Sequence, residues 1–203
     1  MDFIMRACAN SKRLLQFLLL GSLCIYSGLA ASQGETETQQ AERFVVQRAE
    51  TSVVNDVYVL NAEIDYRFND EVLEALENGV PLTLEVDIEI LRPRQWMWNE
   101  TFTSLRQRYR LLYHALTQQY LVKNINSDIQ YNFPTQQAAI TALGTITDLP
   151  LLDKRLLEPG EQYLARMRAN LDLESLPTPL RLLAYLSPQW HLDSEWFTWP
   201  LQS

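Results

Sequence analysis

From Leu82 to Ile90 the chain alternates without a break. Leu82, Leu84, Val86, Ile88 and Ile90 are apolar, and Thr83, Glu85, Asp87 and Glu89 between them are polar. A period of two sends successive side chains to opposite faces of a strand. The stretch therefore predicts a β-strand with one face in a core and an acidic, solvated face opposite. Pro93 lacks the amide that a ladder requires and ends the strand.

Three further stretches carry the same period. Val57–Phe68 sets Tyr58, Leu60, Ala62, Ile64, Tyr66 and Phe68 against Asn61, Glu63, Asp65 and Arg67. Leu105–Tyr113 sets Leu105, Tyr109, Leu111 and Tyr113 against Arg106, Arg108 and Arg110, and Gln162–Leu171 places Arg166 and Arg168 outward. The acidic strand and the first arginine strand are separated only by a loop. They are expected to pair antiparallel, with Glu85 nearest Arg110 and Glu89 nearest Arg106, because opposite charges across a pair help select register.

Tyr120–Val122 and Ile129–Phe133 flank the turn-forming run Asn124–Asp128 and predict a β-hairpin. Asn69 or Asp70 can cap a short helix through Val72, Leu73 and Leu76 that Gly79 stops in the left-handed region. Thr135 can cap a second, through Ala139, Ile140 and Leu143, with Gly144 as its stop. Residues 150–160 read as a loop, and Leu180–Leu186 is apolar but too short to assign. Short alternating strands joined by antiparallel connections predict a mainly β fold, an antiparallel immunoglobulin-like β-sandwich with two short connecting helices, spanning residues 44–203 as one domain.

Ahead of that domain, Arg6, Lys12 and Arg13 precede the apolar stretch Leu14–Tyr26, and Gly28, Ala30 and Ala31 offer small residues for cleavage. Residues 1–30 thus read as an export signal, cut after Ala30 or two residues later. An uncleaved anchor in the inner membrane, the domain facing the periplasm, is the alternative and the one route to a membrane. Residues 31–43 are polar and acidic and read as a disordered lead-in. Net charge is −8 for the whole chain, and −10 without the first thirty residues, which contribute three basic residues against Asp2. Nucleic acid and anionic membranes demand a basic footprint, so neither is an expected partner. Cys8 and Cys24 are the only cysteines. A domain beginning after Ala30 has no thiol for a disulfide, a nucleophile or a cysteine-bound metal.

No stretch has the spacing of a catalytic or phosphate-binding motif. Same-face carboxylates on one strand lie ~6.5–7 Å apart, too far to wrap a cation, so Glu85, Asp87 and Glu89 are not expected to bind metal. His114 and His191, the only histidines, have no zinc-site spacing, and His114 reads as a hydrogen-bonding residue at a strand end. No cofactor and no enzymatic activity are expected, a dispersed carboxylate pair being the route by which the chain could be a small hydrolase. The segment Arg92, Arg94, Trp96 and Trp98 is the candidate binding surface, since arginine and tryptophan are enriched at binding hot spots. The alternative is that the tryptophans cap the core.

Several short runs together resemble the DUF4390 family of exported proteobacterial proteins. They are Leu60-Asn61-Ala62, Asn78-Gly79-Val80-Pro81-Leu82, Arg92-Pro93-Arg94, Tyr113-His114-Ala115-Leu116, Ala142-Leu143-Gly144, Pro179-Leu180-Arg181-Leu182 and Trp196-Phe197-Thr198-Trp199-Pro200. Gln95 and Met97 depart from a family pattern that often runs three tryptophans together. The resemblance implies export and a shared fold, brings no catalytic residues, and hints at envelope signalling. The expected function is a periplasmic binding or interaction module with an envelope protein as partner. A glycan- or lipid-binding protein using Trp96 and Trp98 is the alternative. Sequencing the N-terminus of the exported protein should find a start near Ala31; intact Met1 on a cytoplasmic protein would end the export reading.

Overall fold

A computed structural model describes residues 43–94 and 99–201. The stretch expected to be an export signal, the expected lead-in up to Glu42, and Trp96 and Trp98 lie outside the described residues. The strands are β1 (Val45–Val54), β2 (Val57–Asp65), β3 (Leu82–Arg92), β4 (Glu100–His114), β5 (Gln119–Asn124), β6 (Gln130–Phe133), β7 (Thr145–Asp153), β8 (Leu164–Leu171) and β9 (Phe197–Pro200). The helices are α1 (Asp70–Glu77), α2 (Gln136–Gly144) and α3 (Thr178–Leu186).

Two antiparallel sheets form a sandwich, β1-β2-β7 facing β6-β5-β4-β3-β8-β9. Leu82, Leu84, Val86, Ile88 and Ile90 of β3 are all buried, and they share one core with Tyr58, Leu60, Ala62 and Ile64 of β2 and Ala165, Met167 and Ala169 of β8. The mainly β antiparallel sandwich is as expected. Its strand order, three on six, gives no support to an immunoglobulin-like arrangement, whose constant form splits four on three.

Among the described residues the helices number three, not two. Leu180–Leu186, unassigned from sequence, belongs to α3, which starts on Thr178-Pro179 because proline suits a first helical turn, where its missing amide costs nothing. The other two helices begin as expected: Asn69 accepts from the Val72 amide at 3.0 Å and Thr135 from the Ala138 amide at 3.2 Å. Gly79, at φ +83°, turns the chain out of α1. Gly144 has a different role from the expected left-handed stop. A Cβ there would lie 2.1 Å from the Ile64 carbonyl oxygen, so glycine is required by the close approach of α2 to β2. Strand β7 runs on through Asp153, so the first four residues of the loop expected over 150–160 are strand. Pro150 is tolerated because β7 is an edge strand and its pairing with β2 shifts register beside that residue.

Tyr66, 4% exposed, stacks on Phe68 and meets Phe44 edge-on, but its hydroxyl has no hydrogen-bond partner. Burial pushes its pKa well up, and Tyr109 adds to the effect. An unfolded tyrosine ionises near pH ~10, so the folded value lies higher. The contribution of neutral Tyr66 is therefore complete below that pH and is lost as pH rises through the folded value. Tyr66→Phe is expected to hold or raise stability at pH 7 by up to about 1 kcal/mol, since it deletes an unsatisfied buried hydroxyl, and to make the alkaline decline shallower. Denaturant melts at pH 7 and pH 11 check both, and a clear loss of stability at pH 7 would show that the hydroxyl is bonded.

Candidate binding surface

The expected pairing of the acidic and basic strands is present, two residues away from the expected register. Glu85 faces Arg108, Asp87 faces Arg106, and Arg110 faces Thr83. The reason is the second neighbour. Strand β8 lies along the other edge of β3 and sets Arg168 opposite Asp87 and Arg166 opposite Glu89. The carboxylates are thus shared between two arginine strands.

The resulting face is layered. The carboxylate side chains form its floor, 12–22% exposed, and the arginines reaching over them are 33–56% exposed. The acidic face of β3 is therefore covered and not solvated as the alternation suggested. Arginine is long enough to lie across a neighbouring strand while its head stays wet. Asp87 takes Arg106 Nε on Oδ1 at 2.6 Å and Arg168 Nη2 on Oδ2 at 3.1 Å. Glu89 Oε2 takes Arg166 at 2.6 and 2.8 Å. Glu85 stands 3.6 Å from both Arg106 and Arg108. Asp87 and Glu85 hold the Arg106 guanidinium above its ordinary pKa, through the hydrogen bond first and charge second. Trp196 lies over both β8 arginines, 4.3 Å from Arg166 Cζ and 4.7 Å from Arg168 Cζ. Such stacking restricts the guanidinium planes. A cleft of about 280 Å³ opens between Asp87, Glu89, Ser104, Arg106 and Arg168. A second, of about 370 Å³, has Asn170, His191 and Asp193 on its wall.

Of the residues singled out from sequence, the two arginines are among those described. Arg92, at the end of β3, pairs with Glu158 at 2.9 Å and approaches Glu161 at 4.0 Å. Arg94 pairs with Glu100. Both guanidinium groups are thus engaged within the domain, while Trp96 and Trp98 lie outside the described residues. His114 closes β4 with Nδ1 3.1 Å from Thr117 Oγ1, and His191 Nδ1 is 3.0 Å from the Ser187 carbonyl oxygen. No group of three or more potential metal-ligating side chains occurs among the described residues.

Two surface features were not recognised from sequence. One is the Trp196 plate, which depends on the chain returning beside β8 through the Asn170–Asp193 bridge. The other is the outer face of α3. Leu180, Arg181 and Ala184 turn inward or lie half-buried, leaving Leu182, Leu183 and Leu186 at 67%, 63% and 85% exposure. The apolar run in the sequence was the available signal, but which side of it faced the core was not encoded locally.

Asp87→Asn is expected to lower unfolding stability by about 2 kcal/mol, because it leaves Arg106 and Arg168 without the carboxylate they share. Glu85→Gln, at longer ion-pair distances, is expected to cost under about 1 kcal/mol. Equal losses in urea melts would contradict the central place given to Asp87.

Comparison with known proteins returns one match. The family model described as "Domain of unknown function (DUF4390)" matches residues 41–200. No curated protein and no solved structure matches the chain significantly. No helix among the described residues is long and apolar enough to cross a membrane. With the match covering all nine strands and the three helices, the chain belongs to the DUF4390 family.

Proposed function

We propose that this protein is an exported, non-catalytic binding module of the cell envelope, working in the periplasm, and that it docks a protein partner through α3. The observation that carries the reading is the exposure of Leu182, Leu183 and Leu186 on one nine-residue helix, with Tyr185 beside them. Single exposed leucines are ordinary; a contiguous patch marks a contact surface.

The surroundings of the patch support one kind of partner. Glu174 receives the Tyr185 hydroxyl and lies 3.8 Å from Arg181. The turn after α3 touches α1 through Trp190, whose Nε1 donates to Glu71 at 2.6 Å, and Asp70, Glu71, Glu74 and Glu77 of α1 are all exposed. An apolar stripe with Glu174 at its edge, on an acidic domain, suits an apolar groove with a basic rim, read in the helix-in-groove manner. A symmetric dimer through this short helix alone would fall short of the ~800 Å² per partner of a stable interface.

A photocrosslinking residue at Leu186 should give one discrete protein adduct in intact cells. Leu182→Ser with Leu183→Ser should abolish it while the melting midpoint stays within a degree or two, exposed substitutions being worth within about ±0.5 kcal/mol. The same crosslinker at Leu156, exposed elsewhere, should give none. Adducts to lipid alone, or equal adducts from Leu156, would overturn the reading.

A further inference from the structure

The outer face of the large sheet gathers the domain's positive charge. Residues 43–203 hold fourteen basic and twenty-one acidic residues, a net −7. Six of the fourteen share this face: Arg106, Arg108 and Arg110 of β4, Lys123 of β5, and Arg166 and Arg168 of β8. The carboxylates in contact with them are Glu85, Asp87, Glu89 and Asp128. Asp172 and Asp193 also border Arg106 and Arg168, so the β8 side of the face is close to balanced.

The surplus is concentrated at one corner. Arg110 has no carboxylate within ion-pair distance among the described residues, and it sits directly opposite Lys123 across the β4–β5 ladder. Like charges directly opposed destabilise a strand pair. Lys123 is held at 2.6 Å by Asp128, whose own side chain is 84% exposed. Next along β4, Arg108 Nε is shut off from solvent yet donates to nothing, with Glu85 Oε1 at 3.6 Å. A register two residues along would have put Glu85 opposite Arg110. The fold takes the other register and leaves three cations short of one anion.

We infer that the corner formed by Arg108, Arg110 and Lys123 is a binding site for a small oxyanion ligand carrying phosphate or carboxylate groups. Guanidinium groups bind either oxyanion through paired donors, and Lys123 adds a point charge beside them. The negative field of the rest of the domain favours a small anion over a nucleic acid or an anionic bilayer, which would meet the acidic surfaces as well. This site is distinct from the docking face of α3, and neither reading depends on the other.

Calorimetric titration of the whole protein at low ionic strength tests it, with sodium tripolyphosphate and citrate as the probes. Saturable binding of at least one is expected, with the two arms separating phosphate from carboxylate preference. Arg110→Gln with Lys123→Gln should weaken binding at least tenfold, Arg110→Lys should keep part of it, and Lys154→Gln with Arg155→Gln, on the other sheet's side, should leave it unchanged. The melting temperature of the Arg110/Lys123 double variant should equal or exceed the parent's, since the substitution relieves an opposed like-charge pair. Absence of saturable binding to both probes, an equal loss in the Lys154/Arg155 control, or a double variant that melts several degrees lower would overturn the assignment.

Discussion

Asp87 lies at 8% exposure beneath two arginines, one from each strand that borders β3. A carboxylate so enclosed keeps its charge only with partners that replace water. Arg106 and Arg168 do so on its two separate oxygens, which ties β4 to β8 across the strand between them. The other face of the same strand presses Leu84, Val86 and Ile88 into the core shared by both sheets. Strand β3 is therefore occupied on both faces and both edges. The rest of the large sheet is built outward from it, through β4 to β5 and β6 on one side and through β8 to β9 on the other. Cysteine occurs only in the first thirty residues, so among the described residues these contacts work without covalent help.

The connections between sheets use small local devices. Asn69 and Gly79 bracket α1 so that the chain leaves β2 in one sheet and enters β3 in the other within a short span. Gly144 lets α2 touch the backbone of β2 before the chain returns as β7. Strand β7 tolerates Pro150 because only one of its edges is paired. None of these supplies much burial. They set where the strands begin, and the apolar faces then decide what packs.

The two surface features differ in physical kind. The arginine face is electrostatic and mostly internally neutralised, with Trp196 as a plate on one flank and, on the other, the corner where Arg110 has no carboxylate partner among the described residues. Helix α3 is apolar and uncovered among the described residues, with Glu174 at its border. Arg92 and Arg94, the expected contacts, are neutralised by Glu158 and Glu100. A carboxylate close in space and distant in sequence, as Glu158 is from Arg92, leaves no mark on the local pattern.

Local sequence alone determined the elements whose signal is periodic. The alternation of Leu82–Ile90 and of Leu164–Leu171 specified strands and their buried faces, and Asn69, Gly79 and Thr135 specified where two helices start or stop. It also specified that an acidic strand and an arginine strand would be neighbours. Tertiary structure decided the register, because a strand in the middle of a sheet divides its charges between two partners and the sequence of one pair cannot show the third. It likewise decided that the carboxylates would be covered, that Trp196 would lie on Arg166 and Arg168, and that the leucines of α3 would face outward. Each of these depends on which distant segment arrives beside the element, a quantity set by packing of the whole chain and absent from any window of residues.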